Sequence, residues 1–355
     1  MKRRFLALGL LLLLPLQSCS TVLLNREYVT EQIHEESGFL TDTSILRADS
    51  YDSLVSAILQ LVNQRAEHGI IRLYNYSEDV GADLANACLE VKRNNPLGAY
   101  AVDYITHDFS RIVSYYEVNL YITYRRTYEQ IKGIVSATGS NAIKEVLQDK
   151  LKDFSPSAVL RIGYFEEDEA YIRTLLEEAY DATPSAAFGL PECHIELYPE
   201  KGTDRIIEVT LTYQNDQEVL LRQKEQVERI ALSLTQKVKG NTTEEVLAEL
   251  YQILKQHVTY QVEGSATIYA ALVEQKANSE GVAIAMSLLC QAADIPCKVI
   301  RGTLHGVPWV WNQVTLNGKT VEMDVVSAFL NEADVPTYMS AGNMGEAYQY
   351  RTAVD

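Results

Sequence analysis

The sequence predicts an α+β protein, with a tandem α/β region followed by a C-terminal region built on an antiparallel sheet. Three observations carry this. A helix–strand–helix–strand–strand order occurs twice between residues 51 and 213. A helix led by Gly281 is then followed by strand-like runs that turn at Asn317-Gly318, a hairpin signal. Finally, 355 residues exceed what one typical core covers, so two or three domains are expected.

The first copy opens with Leu54, Ile58, Leu61 and Val62 on one helical face, and Gly69 is expected to stop that helix. Ile70 to Tyr76 reads as a buried strand and Asp79 to Lys92 as a helix, broken by Asn94-Asn95-Pro96-Leu97-Gly98. Strands near Tyr100 to His107 and Ile112 to Tyr124 follow. The second copy repeats the order: helix 141–154, strand 158–165, helix 168–180, then strands 193–198 and 204–213. Arg72-Leu73 returns as Arg161-Ile162, Glu78-Asp79 as Glu167-Asp168, and Thr123-Tyr124 as Thr212-Tyr213, each 89 residues later. This implies an internal duplication in which each copy buries one sheet face beneath its helices. A long amphipathic helix, Gln217 to Val238, leads to Gly240. Thr242 or Thr243 with Glu245 then caps a further helix that runs to about Val258.

The N-terminus is of another kind. Lys2, Arg3 and Arg4 precede an apolar run from Phe5 to Leu16, too short to span a bilayer comfortably. Leu16-Gln17-Ser18-Cys19 resembles the bacterial lipobox, which implies cleavage before Cys19 and its lipidation. More than one acyl chain anchors durably, since each buried methylene adds about 0.8 kcal/mol. The expected product is extracytoplasmic and tethered to a bacterial membrane through Cys19. Three of the 31 basic residues leave with the signal, so 28 face 48 acidic ones, a net charge of −20. Nucleic acid needs a basic footprint and is excluded as a partner. Cys88, Cys193, Cys290 and Cys297 are too few for a disulfide scaffold. They read as buried thiols, with Cys290–Cys297 able to bridge in an oxidising compartment. No spacing implies a metal or another cofactor. The expected organisation is a signal over 1–18, a tether over 19–50, α/β units over 51–127 and 128–240, and a last domain over 241–355.

That last domain carries the chemistry. Tyr269-Ala270-Ala271-Leu272, Gly281, Ile295-Pro296, Ile300-Arg301-Gly302, Trp311-Asn312-Gln313-Val314, Asn317-Gly318 and Asp324 stand in one order between residues 243 and 330. This order resembles the transglutaminase-like domain of the papain-type cysteine peptidase fold. The resemblance implies a cysteine at the helix start, a histidine base on the next strand and an aspartate that orients it. Here the cysteine position is Ser279 and the histidine position Trp309, and only Asp324 remains. A serine hydroxyl needs a base within hydrogen-bond reach, and an indole only donates.

The favoured expectation is therefore a catalytically inactive domain that binds or scaffolds at the envelope, with a protein, peptide or glycan partner. Ser279, Trp309, Trp311 and Asp324 would line its cleft, unless Trp309 fills it and the protein acts only as a spacer. The competing expectation is a hydrolase or acyltransferase that uses Ser279 and Asp324 with His305. His305 stands four residues before Trp309, roughly 13 Å along a strand unless the loop folds back.

Overall fold

The computed structural model describes residues 45–340 and 347–351. The expected signal, Cys19 and most of the expected tether lie outside them.

In the first unit, β1 (Leu46–Ala48), α1 (Tyr51–Asn63), β2 (His68–Tyr74), α2 (Val80–Asn94), α3 (Pro96–Ala101), β3 (Val102–Ile112) and β4 (Tyr115–Tyr124) make a sheet in the order β1-β2-β4-β3. The pair β1–β2 is parallel and the others are antiparallel. Leu54, Ile58, Leu61 and Val62 of α1 and Leu84, Ala87 and Val91 of α2 are buried against one sheet face, as the helical period requires.

Three expectations are corrected here. Residues 46–48 belong to the sheet and not to the tether. Gly69 does not stop α1, which ends at Asn63 with Arg65 taking a positive φ of 55°. Gly69 lies inside β2, where a Cβ would collide with the Leu61 side chain. The break at Asn95 is real but brief. Asn95 Oδ1 accepts from Gly98 N at 3.0 Å and Pro96 takes the first helical position, so a new helix starts and carries Tyr100 into the core.

After α4 (Tyr128–Lys132), the second unit contains β5 (Val135–Ala137), α5 (Ser140–Lys152), β6 (Ser157–Ile162), α6 (Glu169–Asp181), β7 (Glu192–Tyr198) and β8 (Arg205–Thr212). Its sheet runs β5-β6-β8-β7, with the same parallel and antiparallel partners in the same places. Part of the outer face of this sheet is covered by the first unit. Tyr100 and Ala101 of α3 pack on Ile206, and Arg126 pairs with Glu208 at 2.5 Å.

The remaining elements are α7 (Gln217–Thr235), α8 (Thr243–His257), β9 (Thr259–Tyr260), α9 (Ile268–Leu272), β10 (Lys276–Ala277), α10 (Ser279–Ala292), β11 (Cys297–Leu304), β12 (Val307–Leu316), β13 (Lys319–Asp324), α11 (Val325–Leu330), β14 (Thr337–Ser340) and β15 (Tyr348–Tyr350). Thr242 and Glu245 cap α8 reciprocally, as the pattern predicts. The last five strands form a sheet in the order β14-β13-β12-β11-β15, antiparallel throughout. Helix α10 is apolar almost all round, with Gly281 to Cys290 buried, because it is enclosed by α7, α8, α9 and this sheet. Buried apolar side chains from Ala137 to Ala328 form one continuous cluster, so the second unit and the last region share a core across residue 240. Cys88, Cys193, Cys290 and Cys297 are free thiols. The Cys290 thiol is pushed well up by its neighbour Cys297 and by burial. Among the described residues, no helix is long and apolar enough to cross a membrane.

Candidate functional site

The site begins at the N-terminus of α10. Asn278 is extended, and its side chain accepts from Gly281 N at 3.1 Å, which makes Ser279 the first helical residue. Gly281 is required because the chain crosses there: a Cβ would stand 2.8 Å from Ala277 Cβ and 3.0 Å from Ser265 O. A helix N-terminus favours a thiolate, but a hydroxyl in the same place stays protonated without a base. Ser279 is half-buried, and among the described residues its hydroxyl has no hydrogen-bond partner.

The position that the sequence resemblance gives to the base holds a donor. Trp309 lies on β12, which α10 meets through Asn312 Nδ2 donating to Ala283 O at 2.9 Å. Trp309 Nε1 donates to Asp324 Oδ2 at 2.8 Å. The aspartate is thus occupied by an indole, which has no lone pair to accept a proton. Asp324 is fully buried, ends β13 and caps α11. It also accepts from Ser327 N at 2.8 Å, Ser327 Oγ at 2.6 Å and Tyr348 Oη at 2.8 Å. Four donors meet its lone pairs, so the carboxylate is buried without a cation. Strand β13 stops at Asp324 because this capping starts a helix.

A second buried carboxylate, again held by a tryptophan and a tyrosine, lies beside the first. Trp311 Nε1 donates to Glu322 Oε2 at 2.6 Å. Gln313 Nε2 and Tyr350 Oη donate to Glu322 Oε1 at 2.7 and 2.9 Å. The Trp311 ring lies between Tyr348 and Tyr350, at centroid distances of 5.5 and 5.8 Å. On a flat sheet β15 would stand three strand spacings from β13, about 14 Å. Tyrosine and carboxylate side chains do not cover that span, so the sheet must curl around the indoles. Gly302 permits the packing, since a Cβ there would strike Gln349 O and the Trp311 ring.

Of the four residues expected to line a cleft, Trp311 and Asp324 are completely buried, with their polar atoms in use. The other two, Ser279 and Trp309, are half-buried. His305 is not brought to the site. It forms, with Gly306, the two-residue turn between β11 and β12, at φ values of 52° and 78°. Such a turn holds it at the hairpin tip and leaves no loop to fold back. His305 N donates to Ala347 O at 2.7 Å, and the exposed imidazole has no partner among the described residues.

Beside Ser279, Glu280 joins an ionic cluster between α6 and β11. Arg301 Nε lies 3.1 Å from both Asp181 oxygens, and Arg301 Nη2 is 2.7 Å from Asp181 Oδ1 and 2.9 Å from Glu280 Oε1. The cluster borders a cavity of about 90 Å³ that Glu177, Tyr180 and Arg351 also line. Burial pushes the Asp181 carboxyl up and outweighs Arg301, because one guanidinium is shared by two carboxylates. The stability due to this carboxyl is therefore greatest below the ordinary aspartate value of about 3.9 and declines as pH rises through its raised value. Arg301→Ala leaves Asp181 and Glu280 facing each other and is expected to lower stability by about 3 kcal/mol, the low end for a broken buried pair because all three groups retain some exposure. Urea denaturation of this variant beside Arg301→Lys, which keeps the charge but not the two-pronged contact, checks the value.

Residues 228–325 match the family model of the transglutaminase-like superfamily. The match begins inside α7, ahead of residue 241, in line with the packing of Val227, Ala231 and Leu234 in the shared core. No curated protein matches. Among solved structures, a TGase is similar at 15% identity and a TM-score of 0.28, covering 55% of this chain and 59% of that one. A candidate cysteine protease from Cytophaga hutchinsonii is similar at 13% identity and a TM-score of 0.26, covering 43% and 69%. A candidate protease from Parabacteroides distasonis shows 8% identity and a TM-score of 0.24, covering 78% and 40%. The chain thus spans less than two thirds of the first and third of these structures. Within a mixed α+β chain, residues 228–325 form a transglutaminase-like domain.

Proposed function

We propose that this is a lipid-anchored extracytoplasmic protein whose transglutaminase-like domain binds or scaffolds at the cell envelope and does not catalyse acyl transfer. The observation that carries the reading is the hydrogen bond from Trp309 Nε1 to Asp324, 2.8 Å long, where the family resemblance places a histidine. With Ser279 at the position the resemblance gives to the nucleophile and no base bonded to it, nothing draws a proton from its hydroxyl. The anchor rests on the lipobox-like Leu16-Gln17-Ser18-Cys19. The tandem units, with their 89-residue offset and matching strand orders, are read as an internal duplication that spaces the domain from the membrane. The partner is an envelope protein, peptide or glycan that meets the surface around Ser279 and Trp309.

Two measurements test this. Metabolic labelling with an alkyne fatty acid should mark the wild type and not Cys19→Ser; equal labelling of both contradicts the anchor. Pull-down from envelope extracts should recover a partner with the wild type and lose it with Trp309→Ala, with circular dichroism confirming the fold. Equal recovery from both counts against this surface.

A further inference from the structure

Helix α10 and strand β11 are joined by residues 293–296 and are fastened to each other along their length. Near the start of the helix, Glu280 pairs with Arg301 of β11 at 2.9 Å. Further along, Ser287 Oγ donates to Cys297 O at 3.2 Å. At the helix end Asp294 takes a φ of 57° and Ile295 N donates to Cys290 O at 2.9 Å, which reverses the chain. Helix and strand therefore run in opposite directions, and positions along them can be matched. Glu280 and Cys290 stand about 15 Å apart along the helix axis. Arg301 and Cys297 stand about 13 Å apart along the strand. With Arg301 on Glu280, Cys297 falls level with Cys290. The side chains also face each other. Cys297 and Val299 are buried while Lys298 between them is exposed, so Cys297 points to the helix as Arg301 does. Cys290 stands three residues after Ser287, its neighbour on the helix surface. Cys290 is completely buried, and its thiol interacts directly with that of Cys297.

We propose that Cys290 and Cys297 form a disulfide as the chain folds in an oxidising medium, pinning the last turn of α10 to β11. The extracytoplasmic location proposed above supplies that medium; the pairing itself rests on the geometry. One cysteine, as thiolate, attacks a sulfur of an oxidant's disulfide, either an oxidoreductase or glutathione. The other then displaces the oxidant from the mixed disulfide. One sulfur–sulfur bond forms in the protein and one breaks in the oxidant, whose two sulfurs leave as thiols carrying the two protons. In the folded protein Cys297 and burial keep the Cys290 thiol protonated, so the exchange belongs to the folding chain and the finished bond is shielded from reductants. The other cysteines do not compete. Cys88 lies in the core of the first unit, and Cys193 Sγ accepts from Arg173 Nη1 at 2.7 Å. The helix that begins at Ser279 is then fixed to β11 at both ends, by an ion pair at one and a covalent bond at the other.

Trypsin cuts after Lys276 and Lys298 and nowhere between them, so both cysteines leave in one peptide, 277–298. The full-length chain is reduced, unfolded in urea, refolded in mixtures of reduced and oxidised glutathione, labelled with N-ethylmaleimide in urea and digested. Peptide 277–298 is expected to carry no maleimide and to be two hydrogens lighter than the dithiol, while Cys88 and Cys193 are labelled. The glutathione quotient at half-reduction, reduced squared over oxidised, should be about fifty-fold higher for the folded chain than in urea, the gain from closing the eight-residue loop 290–297. Two maleimides on the peptide after refolding, a bond from either cysteine to Cys88 or Cys193, or equal quotients folded and in urea overturns the proposal. The same peptide taken from membranes tests the compartment separately. A peptide that is bonded after refolding but labelled twice when isolated from membranes upholds the pairing and contradicts the extracytoplasmic location.

Discussion

The pair of substitutions Ser279→Cys and Trp309→His is expected to create a thiol that alkylates about ten-fold faster near pH 6.5 than Ser279→Cys alone. An ordinary thiol, with a pKa of about 8.5, is about 1% thiolate at that pH. An adjacent imidazolium, which the single variant lacks, would make roughly half of it thiolate if it lowered the value by about two units. Lower intrinsic nucleophilicity offsets part of that fifty-fold gain, leaving about ten-fold. The single variant places the thiol at the first position of α10 but leaves Trp309 bonded to Asp324. Iodoacetamide kinetics across pH 5 to 9 distinguish them. Equal rates would mean that Trp309 is not what silences the site.

Trp311→Ala should be among the most destabilising changes in the last domain, costing about 3–5 kcal/mol from the emptied volume. A further 1–3 kcal/mol is expected because Glu322 Oε2 loses its donor while buried. Trp311→Phe separates the two effects. It keeps an aromatic ring beside Tyr348 and Tyr350 and removes the N–H with only part of the indole volume, so its loss should fall between the smaller figure and the loss of Trp311→Ala. Urea midpoints of the two variants decide which effect dominates. If both lose the same amount, the indole N–H and not the packing governs this position.

Much of this was legible in the sequence, for identifiable reasons. The helices α1, α2, α6 and α8 follow apolar spacing and caps, which are local properties. The Asn317-Gly318 turn takes φ values of 50° and 74°, which only such residues adopt readily. The position of Asp324 was also legible, since a hairpin delivers it. Its surroundings were not. Trp309 and Trp311, Glu322 and Asp324, and Tyr348 and Tyr350 each stand two residues apart, so each pair shares a strand face. That alternation is visible in the chain, but what brings the three pairs together is the addition of β15 at the edge of β11 and the curl of the sheet. Neither is encoded locally. Arg301 stands in a strand motif, whereas its role depends on Asp181, 120 residues earlier. Short edge strands such as β1 and β5 escaped notice because three residues carry too little periodicity to register.

The central claim concerns a proton: no group in the site removes it from Ser279. Treatment of the folded protein with a fluorophosphonate probe, read by peptide mass spectrometry, tests this most directly. The expected result is no adduct on the peptide containing Ser279, whether native or heat-denatured. An adduct at Ser279 that forms on the native protein and is lost on denaturation and in Ser279→Ala would show an activated hydroxyl and contradict the account.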